Sequence, residues 1–129
     1  MTLYLSVEQV VWLHAHLVED FGGASGLRDR RALESAVARP AMTFDGEDLY
    51  PDVAAKAAAL LHSLVLNHPF VDGNKRIAIH TAEFFIERND FVLEADDGDL
   101  ERLTLAAAEG QLAVEALAIW LRQRLRPAD

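Results

Sequence analysis

Leu60-Leu61-His62-Ser63-Leu64-Val65-Leu66-Asn67-His68-Pro69-Phe70-Val71-Asp72-Gly73-Asn74-Lys75-Arg76-Ile77-Ala78-Ile79 is an apolar segment, a polar turn and a second apolar segment. The turn, His68 to Arg76, holds an imidazole, a carboxylate, a glycine, an amide and two cations. Phe84-Phe85-Ile86 continues the second apolar segment. The pattern predicts helix, short loop, helix, with both helices buried and the polar groups held at their junction. Rigid elements that carry a polar loop are where chemistry is usually built.

Gly73 permits a positive φ or a close approach of backbone to ligand. A helix that begins at or just after it leaves its first amides without intrahelical partners, and these, with the positive end of the dipole, attract anions. Lys75 and Arg76 add full charges to that first turn, although the helix itself would prefer acids there. The combination suits phosphate. Asp72 would compete with a bound phosphate unless a divalent cation lay between them, and Mg²⁺ takes one or two carboxylates together with phosphate oxygens and water. His68, four residues upstream, is an imidazole that in its neutral form can accept a proton from a hydroxyl nucleophile. Base, metal ligand, anion site and cations are the parts of phosphoryl-type transfer. Singly, a His-Pro turn can cap a helix and Asp-Gly-Asn can be a plain turn. A plain turn has no need of Lys75 and Arg76 beside it.

The nine residues from His68 to Arg76 resemble the signature loop of the Fic/Doc superfamily, and within it the death-on-curing (Doc) toxin branch. General Fic proteins carry a second glycine after Gly-Asn, whereas Doc-like proteins carry a lysine, as Lys75 is here. Tyr4-Leu5-Ser6, Gly26-Leu27-Arg28-Asp29 and Ala108-Glu109-Gly110 extend the likeness over almost the whole chain. The resemblance implies a compact all-α bundle of about six helices, one domain over residues 1–129, with the motif loop between two central helices. It implies His68 as general base, Asp72 as the Mg²⁺ ligand, and Gly73, Asn74, Lys75 and Arg76 as the cradle for nucleotide phosphates. It further implies a toxin of a type II toxin–antitoxin system. Such a toxin transfers the γ-phosphoryl group of ATP to a threonine of a translation factor such as elongation factor Tu, arresting translation. The resemblance also implies that the nucleotide binds the reverse way to that of Fic enzymes, which a long cation, Lys75, in place of their second glycine rationalises. The alternatives are Fic-type AMP transfer, with the same residues and the opposite orientation, and a non-catalytic module that binds an antitoxin or another partner.

Some Fic proteins inhibit themselves with a helix that places Ser or Thr four residues before the Glu of a Glu-Gly pair. Glu109-Gly110 is present, but Leu105 occupies that position and Thr104 misses the register by one. Neutralisation is therefore expected from a separate antitoxin, presenting a helical or folding segment to an apolar groove.

At 129 residues and 51% apolar, the chain is sized for one core and is too apolar for disorder. A net charge of −9 leaves no basic footprint for direct nucleic-acid binding. No apolar run reaches the roughly 18 residues of a membrane span. Met1 to Ser6 lacks the features of a signal peptide. The absence of cysteine suits the cytoplasm.

Taken in order, Leu3-Tyr4-Leu5 reads as an extended lead-in. Ser6 with Gln9 forms a capping box for a helix to about Asp20, its buried face carrying Val7, Val10, Val11, His14, Leu17 and Val18. His14 and His16 point apart at this spacing and make no metal pair. Phe21 to Gly26 lacks a Gly-Lys-Ser/Thr ending, so it reads as a connection rather than a P-loop. Asp29 starts a helix to about Arg39, ended by Pro40. Residues 40–51 form the longest irregular stretch, either a solvated loop or, by the resemblance, a flap that aligns the target's backbone. Pro51 in the first turn, with Asp52, opens an alanine-rich helix in which His62 is structural. The helix after the motif runs from about Asn74 to Glu87, with His80 as a packing or supporting contact. Phe91-Val92-Leu93 is a short extended segment, and Asp96-Asp97-Gly98-Asp99 caps a helix from about Asp99 to Gly110 rather than forming a calcium loop. The last helix, about Val114 to Leu125, ends in Arg122, Arg124 and Arg126, which suit its negative pole.

Overall fold

In the computed structural model, which describes residues 1–129, six α-helices carry the fold. They are α1 Val7–Phe21, α2 Arg30–Ala38, α3 Val53–Asn67, α4 Asn74–Arg88, α5 Asp97–Ala108 and α6 Val114–Arg122. Two small antiparallel pairs complete it: β1 Thr43–Phe44 with β2 Glu47–Asp48, and β3 Phe91–Leu93 with β4 Leu125–Pro127. The architecture is the compact, mostly helical bundle expected, with the motif loop joining α3 to α4.

Local chemistry starts most helices. The Ser6 side chain accepts from Gln9 N–H while the Gln9 side chain accepts from Ser6 N–H, a complete capping box. Asp29 and Asp52 each cap through a carboxylate that accepts from the N–H three residues on. Pro51 thus lies just outside α3 rather than in its first turn. The carboxylate of Asp52 sets the boundary, since it needs extended backbone and takes that conformation here.

Helix α3 is the hub, packing against α2, α4, α5 and α6. Its alanines at 54, 55, 57, 58 and 59 are buried and let neighbouring backbones approach closely. Leu60, Leu61, Leu64 and Val65 join Ile77, Phe85 and Ile86 of α4 and Leu117 and Leu121 of α6 in one buried cluster. Burial of this kind contributes about 25 cal/mol per Å² of apolar surface and is the main force holding the loop's two flanking helices in place.

Two expectations change at the C-terminus. Helix α6 stops at Arg122 rather than near Leu125, because residues 125–127 leave the helix to pair with β3. Arg122 keeps its place in the last turn of α6 and Arg124 donates to the Trp120 carbonyl there at 3.0 Å, as the dipole favours, while Arg126 leaves with β4; each also takes a specific partner. Arg122 forks onto Asp52 at 2.7 and 3.0 Å, Arg124 stacks 3.8 Å from the Trp120 ring centre, and Arg126 pairs with Glu94. Helix α5 likewise begins at Asp97, capped by Asp96, slightly earlier than expected.

The Asp52–Arg122 fork ties α3 to α6 and predicts a pH effect. The hydrogen bond from Arg122 holds the Asp52 carboxyl below the usual carboxylate range, against the opposing cost of burial. Because the folded value lies below the unfolded one, this stabilisation is complete above about pH 4 and is lost as pH falls through the lowered value. Asp52→Asn is expected to lower the melting temperature at pH 7, with the deficit shrinking in acid. A deficit independent of pH would take Asp52 out of the acid transition.

Candidate functional site

The motif loop begins with a strained residue. His68 closes α3 in the left-handed region, φ 47° and ψ 57°, where a non-glycine residue is held only if its surroundings fix it. Arg28 supplies the restraint. Its Nε donates to the His68 carbonyl at 2.8 Å, its Nη2 donates to the same oxygen, and Nη2 also reaches the Asn67 carbonyl at 3.1 Å. The end of α3 is thereby capped by a guanidinium rather than a glycine, and the His68 side chain stands exposed to solvent.

Residues 69–71 are braced by the chain that precedes α2. Arg28 and Asp29 N–H both donate to the Pro69 carbonyl, at 2.8 and 2.9 Å, and Val71 N–H donates to the Gly26 carbonyl at 3.1 Å. Leu27 and Phe70 form an antiparallel bridge. From the other side, the Asn74 amide clasps Phe70: Oδ1 accepts from Phe70 N–H and Nδ2 donates to its carbonyl, both at 3.0 Å. The Asn74 side chain therefore closes the loop, and what it leaves toward solvent is its backbone N–H. Phe70 itself is buried, anchoring the loop to the core.

Gly73 caps α4 at φ 76°, a backbone conformation that disfavours any side chain. The first intrahelical bond runs from Ile77 N–H to the Gly73 carbonyl at 2.9 Å, so the N–H groups of Asn74, Lys75 and Arg76 precede it. No side chain caps this end, and the first turn holds no acid. Lys75 and Arg76 are both exposed there, the Arg76 guanidinium lying 4.5 Å from the centre of the Phe21 ring. It is an open, doubly charged helix N-terminus.

Asp72 faces that end. Its Oδ1 accepts from Gly73 N–H at 2.9 Å and its Oδ2 from Ala24 N–H at 3.3 Å. A carboxylate offers about four acceptor sites, so capacity remains for a cation. No group of three or more His, Asp or Glu residues converges anywhere to make an all-protein cage. The donor set fits Mg²⁺, which needs few protein ligands when phosphate oxygens and waters supply the rest, and does not fit a closed site.

The glycine-rich stretch 21–26, expected to be only a connection, forms one wall of the site. A Cβ on Gly23 would sit 2.8 Å from Asp72 Oδ2, so only glycine lets the carboxylate approach. His14 forms the floor. It is buried, its ring stacks on Phe70 at 3.8 Å and 10°, and its Nε2 donates to the Asp72 carbonyl at 2.8 Å. Sequence reasoning placed His14 on the buried face of α1 but gave it no part in the site. A lone imidazole in an apolar stripe was the available signal.

A cleft of about 600 Å³ opens beside Lys75 and Arg76, between α4 and α5. Phe21, Ile79, Leu100 and Leu105 give it apolar surface, and Glu83, Asp97 and Glu101 give it acids. Burial pushes the Glu83 carboxyl up; His80 opposes this, while Asp97 and Glu87 add to it. His80 is an exposed wall residue with Nδ1 3.9 Å from Glu83. His68 and Asp72 do not line this cleft, so it adjoins the loop's chemistry without containing it. His62 is half-buried instead of enclosed, and its Nδ1 accepts from Arg39 at 3.0 Å; burial first, then the Arg39 charge, pushes its pKa down.

The irregular stretch 40–51 contains the β1–β2 hairpin, turned by Asp45 at φ 53° and Gly46 at φ 82°. Two successive positive φ values are the signature of a tight hairpin turn favoured by Asp-Gly. Phe44 at its tip is 76% exposed, which leaves that ring without a partner in the chain.

Comparison with known proteins places this geometry in company. The model of a family described as "Fic/DOC family" matches residues 4–86, more than half of the chain. A protein named Toxin Doc from Mycolicibacterium smegmatis is 49% identical over 96 residues, covering 74% of this chain and 72% of the relative. A protein named Protein kinase doc from Escherichia phage P1 is 31% identical over 126 residues, covering 98% of each.

Proposed function

This chain belongs to the Fic/Doc family, and on that premise we propose that it is a Doc-type toxin that phosphorylates a protein hydroxyl. The observation that carries this reading is the open N-terminus of α4, with Lys75 and Arg76 in its first turn and His68 and Asp72 on the same short loop. The names of the two relatives, a toxin and a protein kinase, support it. On this reading a cognate antitoxin neutralises it and the target is a threonine of a translation factor such as elongation factor Tu.

In the proposed reaction the target hydroxyl gives its proton to the imidazole of His68 as its oxygen attacks the γ-phosphorus of ATP. The new O–P bond forms, the bond from the γ-phosphorus to the β,γ-bridging oxygen breaks, and ADP leaves with that electron pair. The N–H groups of Asn74, Lys75 and Arg76, with the two side-chain cations, take up the charge on the phosphate oxygens. Fixed donors of this kind cost no reorganisation at the moment of reaction. Gly73 keeps the approach open. Asp72 would hold Mg²⁺, which supplies charge neutralisation at the phosphates. The β1–β2 hairpin offers a strand edge on which an extended target segment could be aligned through backbone pairing.

The test is label transfer with ATP labelled on the α- or the γ-phosphate, Mg²⁺ and a translation extract as the source of target. A protein band labelled only from γ-ATP is the expected result. Label from α-ATP would establish AMP transfer and would show that Lys75 does not set the nucleotide's orientation. No label from either, with no nucleotide binding by calorimetry, would leave a partner-binding protein.

A further inference from the structure

We propose that His14 is a positioning residue that aims the Asp72 carboxylate at its metal; this rests on the reading of Asp72 as the Mg²⁺ ligand. Three observations meet at this imidazole. It is 3% exposed on a helix whose other buried residue is an apolar valine, so its polar edge must be used. Its Nε2 lies 2.8 Å from the Asp72 carbonyl, an acceptor, which requires the hydrogen on Nε2. Its ring lies flat on Phe70, two residues earlier in the same loop, so the donor is fixed in direction as well as distance.

The bond holds the peptide between Asp72 and Gly73 from below. The same peptide's N–H, on Gly73, binds Asp72 Oδ1, so fixing the plane of that peptide fixes the carboxylate that rests on it. Above, Ala24 N–H takes Oδ2, and Gly23 leaves room where a Cβ would collide. Asp72 is thus gripped between the middle of α1 and the loop that follows it, elements outside the signature motif. Gly73 borders the imidazole as well, since a Cβ added there would lie 3.7 Å from Nε2, in ordinary contact. Groups that orient a metal-binding side chain typically change metal affinity by about 10–100-fold when removed.

The experiment compares wild type with His14→Phe and His14→Gln. Phenylalanine keeps a ring on Phe70 and removes the donor; glutamine can return an N–H near the position of Nε2. Mn²⁺ binding is followed by electron paramagnetic resonance with a non-hydrolysable ATP analogue, beside metal-free analogue affinity and melting temperature. His14→Phe is expected to weaken Mn²⁺ binding about ten-fold, to keep metal-free affinity within about two-fold, and to be restored in part by His14→Gln. A merely structural histidine would lower the melting temperature without this metal-selective loss. Mn²⁺ bound equally by wild type and His14→Phe would overturn the inference alone. Wild type that binds the analogue but no Mn²⁺ would overturn the metal reading, and this inference with it. Should His14→Phe not fold, ¹⁵N spectra of the wild-type ring decide. A slowly exchanging Nε2–H that shifts when Mg²⁺ and analogue are added upholds the inference, and an Nδ1–H tautomer overturns it.

Discussion

His68→Ala is expected to lower phosphoryl transfer by about 10²–10⁴-fold while nucleotide affinity and the fold stay near wild type. The size follows from the proposed role, since removing a positioned general base would leave the open N-terminus of α4 and its charges in place. The stability of the variant follows from where His68 is held. Arg28 grips the backbone carbonyl of residue 68, not the imidazole, and the imidazole is exposed, so truncation creates no cavity. The risk lies in the backbone, because φ 47° suits alanine less well than it suits asparagine. His68→Asn is the matched control, tolerant of the left-handed region and lacking an effective base. If both variants bind nucleotide and neither transfers label, the imidazole is the base. Transfer at the wild-type rate in either would remove His68 from the mechanism. Transfer lost in alanine but retained in asparagine would point to the backbone strain instead.

The contrast between His68 and its supports marks what a single sequence can disclose. The motif is contiguous, and a glycine before two cations at a helix start announces an anion site by local rules alone. The caps were equally local: Ser6 with Gln9, Asp29 and Asp52 all begin helices through partners three residues away. The walls of the site come from elsewhere. Gly23, Ala24 and Arg28 reach the motif only through the packing of the loop between α1 and α2, and nothing in their spacing names Asp72 or His68 as the partner. The strand at residues 125–127 was hidden for the same reason, because its partner, β3, lies more than thirty positions back. The hairpin at residues 43–48 is a different case. Asp45-Gly46 is a strong turn signal, but Met42-Thr43-Phe44 alternates over only three residues and Glu47-Asp48-Leu49 does not alternate, too little to mark strands.

What then holds a hairpin with so little sequence support is Lys56, and Lys56→Met is expected to release it. Lys56 is 2% exposed in the alanine-rich body of α3. Its ammonium donates to Asp48 Oδ2 at 3.0 Å, to the Tyr50 carbonyl, and more weakly to the Pro40 carbonyl at 3.4 Å. It also lies 5.7 Å from the centre of the Tyr4 ring. Both ends of the 40–50 segment are thus tied to one amine on the helix that leads into the motif. Methionine would fill the stem's volume but leave those oxygens without their donor. Charge-assisted hydrogen bonds are worth roughly 1.5–3 kcal/mol each, offset here by the desolvation that the buried ammonium no longer suffers. The balance predicts a net loss of about 2 kcal/mol, or about 5–8 °C in melting temperature. The loss should be concentrated in the hairpin. The Leu49 N–H, which donates to the Met42 carbonyl at 2.9 Å, should exchange much faster, while amides in the interior of α3 keep most of their protection. If the hairpin aligns the protein target, the KM for target should rise while nucleotide affinity is unchanged. A variant as stable as wild type, with Leu49 still protected, would mean that desolvation cancels the amine's hydrogen bonds and that the hairpin is held by its own turn.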